Sequence, residues 1–155
     1  CIRDRDWATR RQRGQAVTDS SFATRAERAR AETIAIETLC WEGRGLEAVA
    51  RAALFLKEYD AASCKQDVAT VLFFAGEELQ ALGRHKEALD YYRRVVQLYK
   101  GQQEIWPGMD HLPRTYYRIW ETLRQSKAPK KQIESAASAL LAGFAVRVDQ
   151  VFDAS

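Results

Sequence analysis

The sequence predicts an all-α protein: three helix-turn-helix hairpins stacked in order, an N-terminal arm before them and a long C-terminal capping helix at the end. Three observations predict it. Apolar residues recur at three-and-four spacing through most of the chain, the period of an amphipathic helix. Short breaks, two of them bearing glycine, interrupt that period and pair the helices into hairpins. Only three prolines and eight glycines occur in 155 residues, too few for a turn-rich β fold. With 46% hydrophobic and 29% charged residues, the chain has the balance of one globular domain with a real core. No apolar run approaches the roughly 20 residues of a membrane-spanning helix; "ALLAGFAV" at 139–146 is the longest.

Residues 1–23 read as a basic arm or tether. Residues 1–30 hold eight arginines against four acids, while the remaining chain holds 16 basic and 17 acidic side chains. The acids interleaved in "RDRD" favour a solvated, locally paired arm. No aromatic residues alternate with these arginines to stack bases, so a nucleic-acid partner is not expected.

The helical domain spans 24–152, with hairpins at about 24–60, 64–101 and 112–152. In the first, "ETIAIETLCWEGRGLEAVARAALFLKEY" runs a helix through Ile36 and Leu39, turns at Gly43–Gly45 and resumes through Ala48. In the second, Val68, Val71, Leu72, Ala75, Leu79 and Leu82 form one stripe. Gly83 breaks it, and Ala88, Tyr91, Tyr92, Val95, Val96 and Tyr99 form the next. The connection "GQQEIWPGMDHLPR" (101–114) is long and carries Trp106, a candidate contact residue or a plug between hairpins. In the third hairpin, Tyr116, Ile119, Trp120 and Leu123 precede a final helix that Pro129 can start. Ile133, Leu140, Phe144, Val148 and Val151 mark the apolar stripe of that helix.

"ALGRHKEALDYYRRVVQL" resembles the tetratricopeptide repeat, a 34-residue helix-turn-helix unit. With the window opened at Ala69, signature positions fall on Leu72, Ala75, Gly76, Leu79, Ala88, Tyr92, Val95 and Lys100. The flanking hairpins resemble degenerate copies, with Ile36 and Trp120 where the family has a close-packing glycine. The resemblance implies a right-handed stack whose first helices line a concave face. The lining residues would be Arg30, Thr33, Glu37, Cys40 and Trp41; then Thr70, Phe73, Glu77, Gln80 and Ala81; then Arg114, Tyr117, Glu121, Arg124 and Gln125. It implies a groove for an extended peptide or partner helix, with Trp41, Phe73 and Tyr117 as anchors and Arg114 and Arg124 as steering charges. Phe73 and Tyr117 could equally be packing between repeats. Thr70, Phe73 and Glu77 do not match the pattern by which some family members clamp a C-terminal carboxylate.

Catalysis is not expected. His85 falls in an inter-helix turn and His111 stands beside Asp110 with no nucleophile near. Phosphate-loop, HExxH and GxSxG motifs are all missing. Cysteines 1, 40 and 64 show no metal spacing, so no metal, cofactor or small-molecule substrate is expected. Cys40 and Cys64 would sit at opposite ends of parallel helices, too far apart for a disulfide. A chain numbered from Cys1 resembles a bacterial lipoprotein, and Ile2 resembles those sent to the outer membrane. That resemblance implies lipid on Cys1, anchoring at the periplasmic face of the outer membrane, and a pilotin-like or assembly-scaffold role among protein partners of a secretion, pilus or outer-membrane complex. The alternative is a cytoplasmic adaptor that binds a partner peptide.

Overall fold

A computed structural model describes residues 20–99 and 111–152, with Thr9, Gln12, Arg13 and residues 15–17 of the arm, and side chains between Leu112 and Ala142 in the last two helices. It is all-α, with no strand among the described residues. The helices are α1 (Arg25–Trp41), α2 (Gly45–Glu58), α3 (Ala61–Ala81), α4 (His85–Leu98), α5 (His111–Gln125) and α6 (Lys130–Phe152). Thr24 opens α1 with a capping box: Glu27 N–H donates to Thr24 Oγ1 (3.2 Å) and Thr24 N–H to Glu27 Oε2 (2.7 Å). Asp60 caps α3 by accepting from Ser63 N–H at 2.9 Å.

The contacts between helices describe a stack. Helices α1, α3 and α5 touch in series, α2 and α4 each touch the odd-numbered helix on either side, and α6 packs on α5. The even-numbered helices make no contact with each other among the described residues. One core runs through the first four helices, from Ala29 and Ile36 through Leu72, Phe73 and Leu79 to Tyr92 and Val95. Thr33, Thr38 and Thr122 are buried too, each returning its hydroxyl to the carbonyl four residues back.

The three turns share one hydrogen-bond pattern. Arg44 N–H donates to Leu39 O (2.9 Å), Arg84 N–H to Leu79 O (2.8 Å) and Ala128 N–H to Leu123 O (3.0 Å). With the shorter bonds from Gly43, Gly83 and Lys127, each turn is a Schellman cap. That motif needs a left-handed residue, and Gly43 and Gly83 supply it at φ 72° and 73°. In the third turn Lys127 takes the same place at φ 53°. A side chain there costs roughly 1–2 kcal/mol, part of which glycine loses again through its freedom in the unfolded chain. Lys127→Gly should therefore raise stability by about 0.5–1 kcal/mol in urea unfolding. No gain would mean the turn relaxes around lysine.

Equal turns place equal positions opposite each other across each hairpin. Within α3 and α4 these are Gly76 and Tyr92, where a Cβ on Gly76 would lie 2.6 Å from the tyrosine ring. The corresponding residues are Ile36 and Ala52 in the first pair, both fully buried, and Trp120 and Ala136 in the third, both half-buried. Each seam holds one large and one small side chain, contributed by alternate helices. Gly76→Ala gains about 1 kcal/mol of helix propensity. It must also displace a ring tethered by the Tyr92 hydroxyl to Gln80 Oε1 at 3.0 Å. A net loss of about 1–2 kcal/mol is expected from the overpacking; a melt at or above the parent's would refute the tether.

Two boundaries differ from the sequence expectation. The connection expected to run to residue 114 ends sooner, because α5 begins at His111 with Pro113 in its first turn. A missing N–H matters little there, since first-turn donors have no helical acceptor. His85 is the first residue of α4, half-buried, and not an exposed turn residue.

Candidate functional site

The residues expected to line a groove separate into two groups. Helix-on-helix packing buries Thr33, Thr70, Phe73 and Gln80. Phe73 is the chief correction: it is 0% exposed, beside Phe74 (5.7 Å between rings) and Tyr92 (6.2 Å), and is no surface anchor. The first helices of a three-hairpin stack lie close enough that these positions meet the neighbouring helix and not a ligand. Trp41 (62% exposed) and Tyr117 (42% exposed) stay at the surface, as do Arg30, Arg114 and Arg124. Arg30 pairs with Asp67 of α3 at 3.3 Å. Cys1 and Trp106 lie outside the described residues.

Between α3 and α5 the remaining polar residues form one network. Arg118 Nε donates to Glu77 Oε1 (2.8 Å), its Nη2 makes a further short bond to the same oxygen, and its Nη1 donates to Glu121 Oε2 (2.8 Å). Gln80 Nε2 donates to Glu121 Oε2 and to Gln125 Oε1, both at 3.0 Å, while Gln80 Oε1 accepts from Tyr92. Burial works to raise the Glu121 pKa, but hydrogen bonds from Arg118 and Gln80 outweigh it and hold the carboxyl below its ordinary range. Glu77, Gln80, Glu121 and Gln125 are thus tied into bonds inside the protein. Arg118 had drawn no attention in the sequence. Its position four residues after Arg114 on an amphipathic helix carries no mark of a bridging role.

Cys40 and Glu78 form a second polar contact, between the end of α1 and α3. Burial, then the charge of Glu78 and the hydrogen bond to it, push the Cys40 thiol up to about 12. Cys40 and Cys64 are both free thiols. A raised thiol pKa means the folded chain keeps a proton that the unfolded chain releases from about 9.0. Its contribution to stability is complete below that pH and disappears as pH rises towards 12. Cys40→Ser keeps a donor for Glu78 without titrating, so it should flatten the alkaline loss of stability between pH 9 and 12. The residual slope includes Tyr59, Tyr92 and Tyr99, whose pKa values burial also raises. An unchanged slope would remove Cys40 from the alkaline transition.

The surface face of α5 is basic and aromatic. The Arg114 guanidinium lies 4.9 Å over the buried Phe73 ring, and that of Arg124 lies 4.7 Å over Trp120. Tyr117 stands between them, 5.8 Å from Trp120. No cluster of metal-ligating side chains occurs among the described residues, and none of their helices is long and apolar enough to cross a membrane. The chain matches no protein-family model, and no curated protein or solved structure matches it.

Proposed function

We propose that this chain is a non-enzymatic scaffold for protein–protein interaction, built as a short right-handed tetratricopeptide-like solenoid and acting within a larger assembly. The observation that carries the reading is the repeated unit: three hairpins with one turn geometry, whose first helices touch in series. A stack of that kind presents a line of first-helix edges, a long surface on which an extended partner can lie. Trp41 and Tyr117 stand at the surface of that line and are residue types enriched at binding hot spots.

A photo-crosslinking amino acid at Tyr117, compared with one at Leu54 on α2, tests the scaffold role. Leu54 is also exposed, at 66%, and lies on a second helix. Native expression should give a discrete protein adduct from position 117 and none from 54. No adduct at 117, or equal adducts at both, would refute the reading.

A further inference from the structure

Resting on that scaffold reading, we propose that the α5 face binds an acidic segment of a protein partner, its carboxylates held by Arg114 and Arg124 and an apolar side chain seated on Tyr117. Arg118 occupies both Glu77 and Glu121, so Arg114, 3.8 Å from Glu77, adds a second cation to a carboxylate already paired. Arg124 has no carboxylate partner among the described residues. The next turn continues the imbalance with Lys127 and Lys131, and among the described residues only Lys130 of the three is paired with an acid, Glu134, at 3.6 Å. The surface from Arg114 to Lys131 therefore has cations to spare.

Geometry makes the two arginines receptors and not merely charges. Each guanidinium lies over an aromatic ring, which covers one side of it. A guanidinium carries several N–H donors around its edge, so the ring and, at Arg114, the 3.8 Å approach to Glu77 leave others for a carboxylate. Ten residues separate Arg114 from Arg124 on one helix, about 15 Å at 1.5 Å per residue. An extended peptide advances about 3.3 Å per residue, so carboxylates four or five residues apart span that distance. Tyr117, partly exposed and about a third of the way from Arg114 to Arg124, meets such a segment between its two carboxylates. Lys127 follows Arg124 by three residues, at a left-handed position where both other turns have glycine.

The test uses the full chain and a fluorescein-labelled peptide, Glu-Ser-Leu-Ser-Ser-Glu, with a version carrying Gln for both Glu. Fluorescence anisotropy should show saturable binding of the Glu peptide that weakens with salt, and at least tenfold weaker binding of the Gln peptide. Arg114→Gln and Arg124→Gln should each weaken binding about tenfold. Arg94→Gln, on α4 beside Tyr91, should leave it unchanged. Equal binding of both peptides, or indifference to both α5 substitutions, overturns the proposal. Vesicles of phosphatidylglycerol and phosphatidylcholine form a third arm; binding to them with none to the Glu peptide overturns it in favour of a membrane surface. The Tyr117 crosslink separates this proposal from the scaffold reading. An adduct that survives Arg114→Glu/Arg124→Glu ends the acidic partner and leaves the scaffold; no adduct in the parent ends both.

Discussion

Phe73→Ala should destabilise the protein by about 3–5 kcal/mol, the loss expected when a fully buried aromatic leaves a cavity. Phe73 is 0% exposed, and its ring meets Phe74, Tyr92 and the Arg114 guanidinium. The loss therefore removes packing between α3 and α4 and also the platform under Arg114. Tyr117→Ala, at a residue 42% exposed, should change stability by less than about 1 kcal/mol. Chemical denaturation of the two variants separates a core residue from a surface anchor. If Phe73→Ala lost under about 1 kcal/mol, the core would have to end before this ring.

Arg118→Met should cost about 2–3 kcal/mol, because it leaves Glu77 and Glu121 facing each other without their shared cation. The full cost of breaking a buried pair is larger. It is reduced here because the side chains of Arg118, Glu77 and Glu121 remain 32%, 18% and 26% exposed. Arg118→Lys should recover only part, since one ammonium cannot span two carboxylates as a planar fork does. Glu77→Gln in the Arg118→Met background should restore some stability by removing one of the two like charges and with it their mutual repulsion. The same network is acid-sensitive. The lowered Glu121 pKa contributes stability above its ordinary value of 4.5, and that stability declines as pH falls through the depressed value. Hydrogen exchange should find α5 and α6 losing protection in acid before α1 and α2 do. Simultaneous loss across all six helices would show that this seam has no separate acid response.

Periodicity made the helices legible because burial on one stripe is what creates it, and Gly43 and Gly83 marked two turns because left-handed backbone selects glycine. The third turn was marked only by Pro129, since Lys127 reaches the same conformation against its preference. The "TRAE" that opens α1 carries its capping box in the sequence, a local signal independent of the apolar pattern that follows. The site was legible only at its edges. A helical wheel places Phe73 and Tyr117 at equivalent positions, and nothing along the chain says that α5 will close over the first and leave the second open. That outcome depends on how far apart α3 and α5 lie. Arg118 escaped for a related reason: its two acceptors come from different helices, 41 and three residues away.

The alternation of bulk across the seams limits how these hairpins can be recombined. Gly76 meets Tyr92, and the shared turn register sets Ile36 with Ala52 and Trp120 with Ala136, so by that register the helix supplying the large side chain switches from the first hairpin to the second and back in the third. A chimaera joining α3 to α2 would set Gly76 against Ala52 and leave a hole. The reciprocal join of α1 to α4 would set Ile36 against Tyr92 and force two large groups into one space. Each hairpin is therefore an indivisible cassette. Lengthening or shuffling this array should succeed when breaks are made between hairpins and fail when they are made at the turns within them.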